Sequence, residues 1–245
     1  MNSQKNSKDS KKRKKLFYNF WYDFVKVTGA LPALIYLRPK IYRPYGTKTP
    51  KGGVLVTANH RSMFDPVIMH VVFPERRLDC LATKDLFNTK VKHFFFNKMH
   101  CIMVDKENFT LSAFHDVVAR LKDDKLVVIF PEGGLNTDAE DTIRAFKSGA
   151  VLMAHKAKSP ILPVYIVKRD KWYQRQHVVI GKPYNVCEGL GVMPTMDQLN
   201  EASEAVRAME LELREYYESK QNKKTKNLDT NINSTQGDLK DEQKV

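Results

Sequence analysis

The chain has 245 residues, a formal net charge of +13 and three cysteines. A chain of this length can bury one sizeable core, and the cysteine spacing excludes a disulfide framework and a cysteine-based metal centre. We therefore expect one main domain in a reducing cytoplasm, with Cys80 and Cys101 packed as small apolar side chains.

The basic charge is concentrated at the N-terminus. Residues 1–15 carry seven Lys or Arg against one Asp, a net charge of +6, and predict a disordered basic arm. Residues 16–45 follow as an amphipathic segment. Its apolar side chains recur at helical spacing, at Leu16, Phe17, Phe20, Trp21, Phe24 and Val25. A basic, aromatic-rich helix of this kind is typical of the membrane interface, with lysines on anionic lipid. A helix that packs on the domain is the alternative.

The sequence does not predict a membrane span. The longest uncharged run, residues 27–37, has eleven residues and is too short to cross a bilayer. A secretory signal is not expected, because a clean apolar stretch with a small-residue cleavage site is missing. No motif that reads nucleic acid accompanies the basic arm. We therefore expect a peripheral protein on the cytoplasmic face of the membrane, with lipid and not nucleic acid as its partner.

Apolar runs typical of buried strands recur through the central part of the chain. They lie at residues 54–58, 78–82, 101–104, 126–130, 161–167 and 177–180. Helical patterns separate several of these runs. They predict helices over about 111–121, 142–156 and 196–219. Asn108 is expected to cap the first of these helices, and Thr195 and Gln198 form a capping box at the start of the last.

Strands that alternate with helices predict an α/β fold, with a mostly parallel sheet flanked by helices, over residues 46–219. The N-terminal amphipathic helical segment at the membrane interface is placed outside this domain. Residues 220–245 are rich in Asn, Lys and Thr and predict a disordered tail. In a parallel sheet, functional residues are expected at the carboxyl ends of the strands.

One such strand end carries a histidine with an aspartate five residues later, His60 and Asp65. An Asp that orients a His and stabilises its imidazolium lets the His take a proton from an alcohol at neutral pH. Because the sequence has no G-x-S-x-G nucleophile elbow, the activated hydroxyl would belong to a substrate. The alternative is that Asp65 and Pro66 only begin a helix, as its N-cap and first residue.

Four segments in a fixed order carry a resemblance to a known family. Asn59-His60-x4-Asp65 comes first, Met99 to Lys106 second, Phe130-Pro131-Glu132-Gly133 third and Pro160 to Ile166 fourth. They resemble the N-H-x4-D, G-x-x-F-I-x-R, F-P-E-G-T-R and V-P-[IV]-P blocks of the glycerolipid acyltransferase family, typified by bacterial 1-acylglycerol-3-phosphate acyltransferases. The resemblance runs from about residue 50 to about residue 183 and favours the dyad over a simple helix start.

The resemblance implies a reaction and the residues that perform it. A fatty acyl group would pass from a thioester, acyl-CoA or acyl-carrier protein, to the hydroxyl of a lysophospholipid. The acceptor implied is 1-acylglycerol 3-phosphate, and the product is phosphatidic acid for phospholipid biosynthesis. His60 would be the general base and Asp65 its orienting residue, with no metal and no cofactor besides the thioester co-substrate.

The same resemblance places further residues around the substrates. Glu132 would lie in the acceptor site, although a structural carboxylate that caps nearby amides is the alternative. Backbone amides of residues 133–134 or 60–62 are candidate donors to the oxyanion. The complete set of expected substrate-binding residues is Arg61, Lys106, Glu132, Gly133 and Gly134.

Substitutions in the second and third blocks depart from the family pattern. Lys106 and Leu135 stand where the family has arginines associated with the acceptor's phosphate, and His100 stands at the glycine of the second block. A lysine keeps the charge but not the bidentate fork of arginine, and Leu135 keeps neither. Compensating cations are expected among Arg61, Arg144 and Lys147. An acyltransferase for another acceptor and a non-catalytic lipid-binding relative are therefore the alternatives.

Overall fold

The computed structural model describes residues 20–29, 31–105, 110–138 and 142–241. The described residues form a seven-stranded sheet. Its strands are β1 (Lys40–Tyr42), β2 (Val54–Ala58), β3 (Leu78–Thr83), β4 (Ile102–Val104), β5 (Leu126–Ile129), β6 (Ile161–Ile166) and β7 (His177–Ile180), in the spatial order β1-β7-β6-β2-β5-β3-β4. Strands β6, β2, β5, β3 and β4 run parallel, while β7 is antiparallel to β6. The predicted α/β fold with a mostly parallel sheet is thereby confirmed.

Helices cover both faces of this sheet. After helical segments at 20–29 and 31–37 come α1 (Asp65–Val72), α2 (Lys90–Lys98), α3 (Leu111–Lys122), α4 (Gly149–Ala157) and α5 (Met196–Asp241). Every residue of the central strand β2 is buried. Leu55 packs into the core shared with α3, α4 and α5, whereas Val54 and Val56 face the core shared with α1. This two-sided burial explains why β2 is a continuous apolar run rather than an alternating one.

Two helix starts differ from the sequence predictions. Helix α3 is capped by Thr110, whose Oγ1 accepts a hydrogen bond from the Ala113 N–H at 3.3 Å, while Asn108 lies outside the described residues. The prediction of a helix from residue 142 was wrong for 142–147, because α4 begins only at Gly149. The N–H groups of Arg144 and Lys147 instead donate to Glu132 Oε2 and to the Pro131 carbonyl.

The last helix begins as predicted but continues further. Thr195 N–H donates to Gln198 Oε1 at 2.9 Å and Gln198 N–H donates to Thr195 Oγ1 at 3.3 Å, which confirms the capping box. Helix α5 then runs to Asp241 and so takes in residues 220–241 of the segment whose composition predicts a disordered tail. Extending an existing helix costs far less than nucleating one, and no proline interrupts α5.

The N-terminal helical segment packs on the domain with one side and exposes another. Tyr22 is fully buried, and its hydroxyl accepts a hydrogen bond from the Leu78 N–H at 2.8 Å. The Lys26 ammonium donates to the carbonyls of Phe73 and Arg76 beyond the end of α1. Phe20 and Phe24 remain exposed. Among the residues that the structure describes, none of the helices combines the length and apolar character needed to cross a bilayer.

Candidate active site

Three of the four family blocks converge at the carboxyl ends of adjacent strands. Strand β2 pairs in parallel with β5 on one side and with β6 on the other. Buried Asn59, the first residue after β2, accepts a hydrogen bond from the Ile166 N–H at 2.7 Å and donates to its carbonyl at 3.0 Å. These two bonds tie the end of β2 to the end of β6. The turn that carries His60 therefore starts from a fixed point.

The carboxylate of Asp65 closes that turn on His60. Its Oδ2 atom lies 2.9 Å from Nδ1 of His60 and accepts hydrogen bonds from the N–H groups of Arg61 and Ser62 at 2.7 and 2.8 Å. Asp65 does not cap α1, because Phe64 occupies the N-cap position and no side chain caps it. The competing interpretation of Asp65 as a helix cap was therefore wrong, although Pro66 does lie in the first turn.

This contact determines which nitrogen of His60 can act as a base. An ionised carboxylate only accepts hydrogen bonds, so Nδ1 carries the proton and Nε2 presents its lone pair. The imidazole stacks on the ring of Phe130, with centroids 4.1 Å apart and planes inclined by 18°. The ring plane is thus held between an Asp at one nitrogen and an aromatic face. The arrangement can take a proton from a hydroxyl placed at Nε2.

The carboxylate of Glu132 lies beneath the same turn. Oε1 accepts a hydrogen bond from the backbone N–H of His60 at 2.9 Å, and Oε2 accepts from Asn136 Nδ2 at 3.0 Å and from the Arg144 N–H at 3.2 Å. Asn136 adds a second link, because its N–H donates to the His60 carbonyl at 2.7 Å. These contacts match the structural alternative, in which Glu132 caps nearby amides. The role of Glu132 toward an acceptor stays a prediction.

The glycine turn after Glu132 contains a backbone conformation that favours glycine. Gly133 has a φ of +78° and donates its N–H to the Phe130 carbonyl at 3.1 Å. A Cβ atom there would lie 2.6 Å from Cε of Lys147 and 2.8 Å from its Nζ. The ammonium of Lys147 therefore sits beside this turn.

The candidate oxyanion donors differ in whether their N–H groups already make a hydrogen bond. The N–H groups of His60, Arg61 and Ser62 are engaged by Glu132 and Asp65, and that of Gly133 closes its own turn. The N–H of exposed Gly134 makes no hydrogen bond within the described part of the chain. Of the amides that the sequence suggested, Gly134 is the one left to receive a developing negative charge.

The cations suggested for the acceptor's phosphate differ in their contacts. Arg144 forms a two-point ion pair with Asp138, with distances of 2.7 and 3.1 Å, and this pair lowers the pKa of the Asp138 carboxyl. Arg61 donates to the Asp138 carbonyl at 3.0 Å. Lys106 lies outside the described residues. Arg144 is therefore engaged by Leu135 and Asp138, while Lys147 lies next to the glycine turn.

The departure from glycine at position 100 keeps the backbone shape that glycine favours. His100 has a φ of +59°, in the left-handed region. Its ring is buried and its Nδ1 lies 3.3 Å from Oδ1 of Asp79, whose Oδ2 accepts a hydrogen bond from Arg120 at 2.8 Å. The ring of Tyr22 lies 4.6 Å away. These contacts stabilise a conformation that costs a non-glycine residue about 1–2 kcal/mol.

Sequence reasoning missed Phe130 as the ring that supports His60 and Asn136 as the residue that joins His60 to Glu132. Phe130 belongs to the third block, so its place in the pattern was a usable signal. Asn136 follows Leu135 in a loop without any periodic or motif signal. Only the folded backbone brings its amide to both partners.

The chain matches a family model described as Acyltransferase over residues 39–167. It is 28% identical over 197 residues to a 1-acyl-sn-glycerol-3-phosphate acyltransferase of Bacillus subtilis, covering 75% of this chain and 94% of that protein. It is 29% identical over 192 residues to a probable 1-acyl-sn-glycerol-3-phosphate acyltransferase of Mycoplasma pneumoniae, covering 66% of this chain and 68% of that protein.

The fold is similar to the crystal structure of the 1-acyl-sn-glycerophosphate (LPA) acyltransferase PlsC from Thermotoga maritima. The TM-score is 0.59 at 17% identity, over 85% of this chain and 83% of that one. This similarity concerns the fold alone. The family model spans more than half of the chain and includes the first and third blocks. The protein therefore belongs to the acyltransferase family and is an acyltransferase.

Proposed function

We propose that the protein transfers a fatty acyl group from a thioester, acyl-CoA or acyl-carrier protein, to the free hydroxyl of 1-acylglycerol 3-phosphate. The product is phosphatidic acid, an intermediate of phospholipid biosynthesis. The observation that carries the proposal is the 2.9 Å contact between His60 Nδ1 and Asp65, which leaves Nε2 to accept a proton. Relatives named for this acceptor support its choice.

The first step is attack of the acceptor hydroxyl on the thioester carbonyl. A free alcohol is a very weak acid, so the base must remove its proton while the carbon–oxygen bond forms. His60 Nε2 takes this proton. The imidazolium that results is stabilised by the negative charge of Asp65.

The second step is collapse of the tetrahedral intermediate. The N–H of Gly134 is the proposed donor to the oxyanion, and the nearby Lys147 ammonium adds positive charge. The carbon–sulfur bond then breaks and the thiolate leaves. The proton on His60 passes to the thiolate or to solvent, which restores the neutral base.

A second candidate acceptor is a lysolipid with a different headgroup. Leu135 favours it, because the third block lacks the arginine associated with the acceptor's phosphate. In the first candidate, cations near the catalytic turn, among them Arg61, supply the positive charge that Leu135 does not. The two candidates therefore predict different preferences between phosphorylated and unphosphorylated lysolipids.

One experiment tests the function and separates the acceptors. The purified full chain is incubated with labelled acyl-CoA or acyl-carrier protein and a panel of lysolipids, and products are identified by mass spectrometry. We expect labelled phosphatidic acid from 1-acylglycerol 3-phosphate. Transfer to another lysolipid alone would favour the second candidate. No transfer to any lysolipid would contradict the proposal.

We propose further that the protein acts as a peripheral protein on the cytoplasmic face of the membrane. Phe20 and Phe24 project from the helical segment 20–29 with 58% and 50% of their surface exposed. Aromatic side chains flanked by basic residues suit the headgroup region of an anionic membrane. The variant Phe20→Ser/Phe24→Ser should bind anionic vesicles more weakly than the wild type. Unchanged vesicle binding would contradict this contact.

A further inference from the structure

A cleft of about 520 Å³ opens beside the catalytic turn, on the side of α1. It lies between the start of α1, the loop 136–138 and the residues that follow β6. Arg61 and Asp65 line it, so the cleft adjoins the dyad. Leu135, which stands where the family pattern has an arginine, is not among the described residues that line it.

The lining of the cleft is basic. It includes four cationic side chains, Arg61, Lys168, Arg169 and Lys171, and two carboxylates, Asp65 and Asp138. Asp65 is buried and accepts three hydrogen bonds, and Asp138 is paired with Arg144. Because hydrogen bonds engage one carboxylate and an ion pair engages the other, the four cations give the cleft a net positive electrostatic potential.

The segment that supplies three of these cations is held by its own contacts. Arg169 donates to the carbonyls of Trp172 and Gln174, and its guanidinium lies 5.0 Å from the centre of the Tyr36 ring. Buried Gln176 donates to the Val167 carbonyl at 2.8 Å. The loop 167–176 is therefore an ordered wall of the cleft, held by its own hydrogen bonds, and Lys168 and Lys171 are exposed on it.

Another part of the lining is aromatic and apolar, with Tyr36, Phe64, Ile68 and Trp172. A ligand that combines phosphate with an organic body matches both parts of the lining. We propose that this cleft binds a phosphate-bearing portion of one of the two substrates. This portion of the substrate is distinct from the atoms that react at His60. The proposal rests on the proposed function only for the identity of those substrates. The phosphate comes either from the acceptor's headgroup or from the phosphopantetheine and nucleotide of the donor.

Direct binding tests the cleft without requiring turnover. The chain has two tryptophans, and Trp172 lines the cleft. In a Trp21→Phe background, Trp172 is the remaining tryptophan, and its fluorescence is followed during titration with glycerol 3-phosphate or with coenzyme A at constant ionic strength. We expect a saturable change with at least one of the two probes. The affinity should fall about tenfold or more in Lys168→Ala/Lys171→Ala, since this variant loses two charge-assisted contacts to the phosphate.

The matched control removes two lysines near the amino ends of the strands, at the other end from the cleft. Lys122 precedes β5 and Lys156 precedes β6, whereas the cleft follows the carboxyl end of β6. Lys122→Ala/Lys156→Ala should bind the probe as the parent does. Absence of saturation with both probes would overturn the proposal, as would equal affinity loss in the two double variants.

Kinetics identify which substrate supplies the phosphate. If the acceptor does, Lys168→Ala/Lys171→Ala raises KM more for 1-acylglycerol 3-phosphate than for monoacylglycerol. If the donor does, it raises KM more for acyl-CoA than for an acyl-N-acetylcysteamine thioester. Equal changes for the phosphate-bearing and phosphate-free forms of both substrates would contradict the assignment. Saturable binding in a protein that transfers no acyl group would support phosphate binding in the cleft and contradict the proposed function.

Discussion

Glu132 fixes the backbone of His60, because its Oε1 atom accepts a hydrogen bond from the His60 N–H at 2.9 Å. Its second oxygen accepts from Asn136 and from the backbone of Arg144. One carboxylate thus joins the turn after β2 to both sides of the loop that begins after β5. The position of the base depends on a residue 72 places away in sequence.

Glu132→Gln should therefore weaken both the fold and the reaction. An amide has one accepting oxygen, and its NH₂ group would face one of the donors now satisfied by carboxylate. We expect a loss of about 1–3 kcal/mol in the free energy of unfolding and slower acyl transfer. Urea unfolding and single-turnover assays measure the two effects. Glu212→Gln, on an exposed part of α5, is the control, and equal behaviour of the two variants would contradict this role.

Asp65 can be tested for two separate contributions. All three of its donors converge on Oδ2. The carboxamide oxygen of Asp65→Asn can take that place, so we expect the free energy of unfolding to stay within about 1 kcal/mol of wild type. The negative charge is lost, and turnover should fall on the order of 10²–10⁴-fold.

Asp65→Ala removes the hydrogen bonds as well as the charge. The N–H groups of Arg61 and Ser62 lose their acceptor, which should cost roughly 1–3 kcal/mol for each group that stays buried. The pair of variants separates closure of the turn from stabilisation of the imidazolium. Turnover of Asp65→Asn within a few-fold of wild type would show that the charge is dispensable.

Glu210 predicts a pH dependence of stability. The residue is fully buried, and burial raises the pKa of its carboxyl well above 4.5, with the charge of Glu132 adding to the effect. The folded protein keeps a proton that the unfolded chain releases above this pH. Stability should therefore fall as pH rises from about 4.5 toward the raised pKa, by up to roughly 1.4 kcal/mol per pH unit.

Glu210→Gln removes this titration while keeping a neutral side chain of similar shape. Its unfolding free energy should decline less steeply with pH than that of the wild type. Urea unfolding at a series of pH values measures the slopes, with Glu212→Gln as the control that keeps the wild-type slope. Parallel curves for the wild type and Glu210→Gln would show that Glu210 is ionised in the folded state.

Sequence patterns predicted the elements whose structure depends on residues near in the sequence. The runs at 54–58 and 126–130 are apolar because β2 and β5 are buried on both faces, and such runs predict parallel strands directly. Strand β1 escaped prediction because it has three residues and two of them are exposed. The pattern at 142–147 predicts a helix, but the structure has a loop there, because the partners of its N–H groups, Glu132 and Pro131, are not local.

The site shows the same division. The family pattern predicted that His60, Asp65 and the third block belong together, and the structure brings them together. It left open whether Glu132 caps nearby amides, and which amide among residues 60–62 and 133–134 is not already hydrogen-bonded within the described part of the chain. Those features depend on how the chain returns through Asn136 and Lys147, for which the sequence carries no periodic signal.

The most direct test of the account is the single-turnover rate of acyl transfer in His60→Ala, measured beside the wild type with confirmation that both proteins are folded. The account predicts a fall on the order of 10²–10⁴-fold, with partial recovery when free imidazole is added. A folded His60→Ala protein that transfers the acyl group at nearly the wild-type rate would contradict the assignment of His60 as the base.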